Sequence, residues 1–119
     1  MKRGKNSKNE IGLWSKPGGT VEFREIVIEA MKREIKEELD IEIKIWGYTF
    51  HTDHIIKNEN QHWVSFSYLA DIQSGVPKIM ESDKCEKIKW FSLDELPKKI
   101  NQTTLESIQH YINKKYLKI

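Results

Sequence analysis

The chain is poor in the residues that staple or break structure: one cysteine, three prolines and six glycines in 119 residues. The lone Cys85 excludes an intrachain disulfide and points to a reducing compartment, and a solitary cysteine is more often structural than catalytic. No apolar run approaches the ~20 residues that a membrane-spanning helix needs. No signal-peptide pattern opens the chain, so a cytoplasmic protein without membrane contact is expected. A net charge of +2 is too small to argue for nucleic-acid binding. There is no internal repeat and no low-complexity tract. What is present is an ordinary globular composition, 38% apolar and 32% charged with four tryptophans. At this length the expectation is one domain, residues 1–119, with its own core.

The chain is organised around residues 18–41. The stretch opens with the turn signal Pro17-Gly18-Gly19. A short β-prone piece, Thr20–Phe23, follows. A helix is expected from about Ile26 to Leu39, free of glycine and proline. At roughly 100° per residue, Val27, Ile28, Met31 and Ile35 make an apolar face, and Glu29, Lys32, Arg33 and Lys36 make a solvated one. Glu34, Glu37 and Glu38 share a third stripe at i, i+3 and i+4, and two of them lie at the edge of the apolar face. Like charges at that spacing repel, and burial raises their pKa values. A hard divalent cation with oxygen ligands removes the conflict. The alternative is an ordinary solvated face.

Gly19, Glu25 and Arg33-Glu34-Ile35-Lys36-Glu37-Glu38-Leu39-Asp40-Ile41 carry a resemblance. They match the Nudix hydrolase signature G-x5-E-x7-R-E-U-x-E-E-x-G-U, with U aliphatic, at every defining position except the last glycine. Asp40 stands there, a residue that tolerates left-handed turns. The resemblance implies an α/β fold, an α/β/α sandwich around a mixed sheet. It also implies metal ligands at Glu34, Glu37, Glu38 and the Gly18 backbone. Mg²⁺ is the expected ion, with Mn²⁺ as the alternative. Arg33, Glu34, Glu37 and Glu38 are the implied catalytic residues, Arg33 orienting Glu37 or Glu25. Gly19 and Arg3 are implied contacts to substrate.

The rest of the chain is read around that motif. Met1–Asn9 is basic and polar, either a flexible tail or, through Arg3, a phosphate contact. Against the family pattern, the strands expected before Lys2-Arg3 have no counterpart. That leads to the expectation of a piece of a longer product, or of a homodimer that covers an exposed sheet edge. Gly12, Trp14 and Pro17-Gly18-Gly19 follow the family pattern, whereas Lys16 departs from it and reads as near phosphates or solvated. Residues 41–45, 48–53, 62–70 and 87–91 read as strands. Ser92–Pro97 reads as a capped helical turn. His51 and His54 lack the company of a zinc site. Glu81 or Glu86 is an extra ligand or base, or a solvated loop residue. Thr103–Tyr116 reads as an amphipathic helix with Leu105, Ile108, Ile112 and Tyr116 on the sheet.

Functionally, the resemblance implies Mg²⁺-dependent hydrolysis of a nucleoside diphosphate linked to another group. A (deoxy)nucleoside triphosphate leads, because E-x-x-K-C-E, W-F and D-E-L-P are similar to that branch. A nucleotide sugar such as ADP-ribose, and a nucleotide-binding module without turnover, are the alternatives. Trp14, Phe50, His51, Trp63 and Phe66 are candidates to stack on a base, and equally candidates for the core.

Overall fold

The structure is a computed structural model and describes residues 1–119. Two long strands, β2 (Glu42–Ile56) and β3 (Gln61–Ser74), form an antiparallel hairpin. A 3-10 turn at Lys57–Glu59 closes it, with Asn60 in the left-handed region. The sequence suggested two strands where β2 is one. Instead of breaking, β2 shifts register between Ile45 and Gly47 and again between Tyr48 and His51. A Cβ at Gly47 would stand 3.0 Å from Leu69 Cδ1 and 3.3 Å from the Leu117 carbonyl. The glycine therefore marks a close approach of neighbouring strands rather than a turn. Phe50, at φ 72°, lies within the second irregularity.

The C-terminal strand β5 (Leu117–Lys118) lies on the other side of β2, giving the order β3-β2-β5. A second small sheet is mixed. β1 (Lys2–Arg3) pairs antiparallel with β4 (Cys85–Lys87). Single bridges extend it, Lys2 to Trp14 antiparallel and Trp14 to Ile100 parallel. The tail reading of Met1–Asn9 is thereby corrected at Lys2–Arg3, whose backbone is tied to Leu13, Gly12 and Lys84 through bonds around Arg3 and Gly4. Thr20–Phe23 is not a strand, and only Cys85–Lys87 of the 87–91 region's neighbourhood is. Ser92–Pro97 is a turn rather than a helix, with Ser92 Oγ bonded to Asp94 at 2.5 Å.

Helix α1 (Val27–Leu39) begins one residue later than expected and has no side-chain N-cap. It ends as expected on Asp40, at φ 55°, whose N–H donates to Lys36 O. Lys36 and Lys78 each reach the Asp40 carboxylate at 3.2 Å. Ile35 and Leu39 of α1 pack with Ile41 into the apolar core, flanked by Met31, Ile43 and Ile88.

Helix α2 (Gln102–Ile112) is shorter than the amphipathic pattern suggested, and its buried face is different. Thr103, Thr104 and Ser107 are buried, while Leu105 is 36% exposed and Ile112 is 53% exposed. Small hydroxyl side chains face inward here, and those of Thr104 and Ser107 find backbone partners. Ser107 Oγ donates to Thr104 O at 2.9 Å, and His110 Nδ1 bonds Thr49 O at 3.0 Å. No helix is long and apolar enough to cross a membrane.

Candidate active site

Arg33 ties the loop before α1 to the helix. Its Nε and Nη2 donate to the two oxygens of Glu25 at 2.6 and 2.9 Å. Its Nη1 donates to Glu34 at 2.8 Å and Glu37 at 3.2 Å, and Nη2 also donates to Thr20 O at 3.0 Å. The paired guanidinium holds the Glu25 carboxyl down to about 2, assisted by the Glu22 backbone N–H. In turn Glu25 and Glu34 raise the pKa of Arg33. A planar donor fork gripping a carboxylate through two bonds fixes orientation as well as charge. Arg33 thus stands between Glu25 and Glu37 and contacts both.

One turn further along, Glu38 sits in a different environment. Its carboxyl is pushed up to about 8, first by burial, then by the charges of Glu34 and Glu81, with the Gly18 backbone N–H opposing. Among the neighbouring charges, that of Glu34 acts on it most strongly. Gly19 lies directly against the same group, since a Cβ there would be 2.1 Å from the carboxyl carbon of Glu34. The glycine is required because the Glu34 carboxylate already fills the space that a side chain would take.

Gly18, Gly19, Arg33, Glu34, Glu37 and Glu38 line one cleft of about 650 Å³. As the side chains stand, no three acidic groups converge as a ready ligand set. Arg33 draws Glu34 and Glu37 toward itself, and Glu37 is exposed. The chemistry of the donors nevertheless fits a hard divalent cation. Oxygen ligands crowd a partly buried edge, and Glu38 and Glu34 repel unless a proton or a cation lies between them.

Arg3 also lines the cleft, its Nε committed to Asn9 O at 2.8 Å. Glu81 lines it too, whereas Glu86 points away and pairs with Lys2 at 3.6 Å. Of the aromatic candidates, Trp63 and Phe66 face the cleft. Trp14 packs on Phe91 with ring centroids 5.0 Å apart, and Phe50 on His110 at 6.4 Å. His54 contacts Glu10 instead of joining a metal cluster with His51. A second cavity of about 710 Å³ lies beyond that pair, against the hairpin turn, and contains none of the α1 carboxylates.

Two further residues of the cleft stand out: Lys16, expected near phosphates or solvated, and Asn101, which sequence reasoning did not single out. Lys16 lines it near the start of α2, and its backbone N–H donates to Thr104 Oγ1 at 3.0 Å. Burial pushes its ammonium down to about 8 against the fields of Glu10 and Glu106. Asn101 caps α2 by accepting from the Thr104 N–H at 3.1 Å. The Asn-x-x-Thr pattern announces a cap but carries no sign that the same residue faces a cleft.

The family model of the NUDIX domain matches residues 1–111. The crystal structure of the MutT NUDIX hydrolase from Burkholderia pseudomallei is similar, at 36% identity and a TM-score of 0.83 over 91% of this chain and 84% of that one. The ADP-ribose pyrophosphatase of Methanocaldococcus jannaschii is 31% identical over 73% of this chain and 50% of its own length. An uncharacterised Nudix hydrolase of Bacillus subtilis is 32% identical over 75% of this chain and 57% of its own length. This chain belongs to the Nudix hydrolase family, and its fold is the α/β sandwich of that family. It spans about half the length of those two curated relatives.

Proposed function

We propose that the protein is a Mg²⁺-dependent pyrophosphohydrolase that converts a (deoxy)nucleoside triphosphate to the monophosphate and pyrophosphate. The observation that carries this reading is the crowding of the Glu34 carboxylate against Gly19, with the buried Glu38 carboxyl in its field. Glu34, Glu37 and Glu38, with the Gly18 backbone, would hold Mg²⁺, or Mn²⁺ in its place. Bound there, such an ion supplies charge neutralisation for the phosphates and acidifies a water.

The chain's own residues have separate tasks. Arg33 locks Glu25 and the glycine loop to α1, so that the carboxylates meet substrate in one geometry. Gly19 gives the substrate backbone contact without a side chain in the way. Arg3 is the candidate contact for an outer phosphate. One of the three glutamates takes the proton as water oxygen bonds to phosphorus and pyrophosphate leaves.

A nucleotide sugar is the second reading, favoured by the 31% identity to a protein named for ADP-ribose. The test is phosphate and pyrophosphate release from nucleoside triphosphates, nucleotide sugars and dinucleotides, with and without Mg²⁺. Metal-dependent pyrophosphate release from a triphosphate is expected. Turnover of nucleotide sugars alone moves the function to the second reading, and silence from a folded sample points to binding without catalysis.

A further inference from the structure

This inference rests on the reading above, in which a nucleotide lays its phosphates along the α1 carboxylates. The other end of the same cleft has the opposite chemistry. Lys16 belongs to the extended segment that leads into Pro17-Gly18-Gly19, and that segment is fastened to the start of α2. Trp14 O accepts the Asn101 N–H at 2.9 Å, and the Lys16 N–H donates to Thr104 Oγ1 at 3.0 Å. The Lys16 side chain lines the cleft and is half-buried. Glu10, whose charge acts on it most strongly, is occupied by His54.

Asn101, only 7% exposed, lines the cleft beside Lys16. Its side-chain oxygen is committed to the Thr104 N–H, which sets the orientation of the amide. Its NH₂ group donates to nothing in the chain. Trp63 and Phe66 from β3 supply apolar surface to the same cleft. The carboxylates of the cleft, Glu22, Glu34, Glu37, Glu38 and Glu81, belong to the loop and helix of the α1 end and to the segment facing it. The α2 end therefore presents hydrogen-bond donors and stacking surface.

We propose that Lys16 is a specificity-determining residue that donates to a ring carbonyl of the substrate's base. The cleft then selects bases with a carbonyl where adenine and cytosine carry an amine. Lysine has three N–H donors and no acceptor. A base amine at that place would set donor against donor and leave both desolvated and unpaired. A carbonyl accepts, and the O6/N7 edge of guanine is a ready partner for a lysine. Asn101 is a second donor to the same edge.

The experiment measures kcat/KM for inosine against adenosine triphosphate and for uridine against cytidine triphosphate. Each pair differs in this one ring substituent and its adjoining ring nitrogen. It is run on the parent, Lys16→Met and Lys16→Arg, each checked for folding by its thermal melt. The parent is expected to favour the carbonyl member of each pair by about 10- to 100-fold. The ratio should fall toward one in Lys16→Met, mainly through KM, and be largely kept in Lys16→Arg. Equal loss on all four substrates makes Lys16 a phosphate contact and overturns the proposal, as does a parent without preference.

Binding of inosine and adenosine monophosphates, followed by tryptophan fluorescence, separates this idea from the proposed function. A preference for inosine monophosphate that Lys16→Met abolishes, in a protein that hydrolyses no triphosphate, sinks the function and leaves Lys16 standing. Hydrolysis without base preference does the reverse.

Discussion

The two ends of the cleft are built in opposite ways. The α1 end is rich in acceptors, and all but Glu81 come from one helix and the loop before it. Their positions follow from helical spacing and from the grip of Arg33 on Glu25, Glu34 and Glu37. The α2 end is rich in donors, and its groups come from residues 16, 63–66 and 101–104, three segments joined only by the fold. Local assembly tolerates crowding of like charge because the helix backbone holds the carboxylates whatever they cost. Assembly from distant segments leaves each polar group to be satisfied by neighbours, and the Lys16 ammonium and the Asn101 NH₂ group, which find no partner in the chain, belong to residues that line the cleft.

The sharpest break comes from Glu38→Gln. Turnover should fall by about 10³-fold or more while the fold persists. The same change tests the crowding. Without a cation the Glu38 carboxyl is raised from 4.5 to about 8, so folding favours its protonated form. That contribution is full below pH 4.5 and is lost as pH rises through about 8. In chelator, Glu38→Gln should therefore melt higher than the parent above pH 8 and lose that advantage toward pH 4.5. A parent that melts higher at both ends of this range refutes the crowding.

Gly19→Ala ranks second. Its methyl would fall 2.1 Å from the carboxyl carbon of Glu34 and must displace it. A shift of about 1 Å in a group that orders the reaction is expected to cost about 100-fold in kcat/KM. Unaltered kinetics would mean that Glu34 acts elsewhere.

At the donor end the effects are on stability. Asn101→Ala removes the cap of α2 and should cost about 1 kcal/mol in urea unfolding. Asn101→Asp keeps the capping oxygen and should retain most of that. The smallest change belongs to Leu105, which lies on the outer side of α2. Leu105→Ala should cost less than about 1 kcal/mol, where a leucine in the core costs about 2–5.

The same contrast explains what was legible in the sequence. The acidic helix, its exit at Asp40 and the glycine loop were readable because spacing, cap and turn chemistry are local. Gly18, Gly19, Arg33, Glu34, Glu37 and Glu38 of that stretch line one cleft. The α2 face was misread because periodicity looks for buried apolar side chains, and α2 buries Thr103, Thr104 and Ser107. Residues 41–45 and 48–53 read as separate strands because the strand pattern lapses at residues 46 and 47, whereas β2 runs through them. The alternatives of tail and phosphate contact at Lys2–Arg3 stayed open because its strand partners are at residues 85–87. Lys16 was noted as a departure from the family pattern, but its place beside Asn101 is a tertiary fact.

The hairpin of β2 and β3 has a kinetic consequence. Its strands meet across four residues, 57–60, so little chain entropy opposes closure. The small sheet instead joins Lys2 to Lys87 and Trp14 to Ile100. Contacts of such long sequence separation form late. The cleft, lined by Arg3, Ser15, Cys85 and Asn101 next to these late contacts, should be the last part of the molecule to assemble and the first to open. In native-state hydrogen exchange, the amides of Arg3 and Trp14 should then exchange well before those of Lys44 and Thr52 in the hairpin, and the gap should narrow when a nucleotide binds.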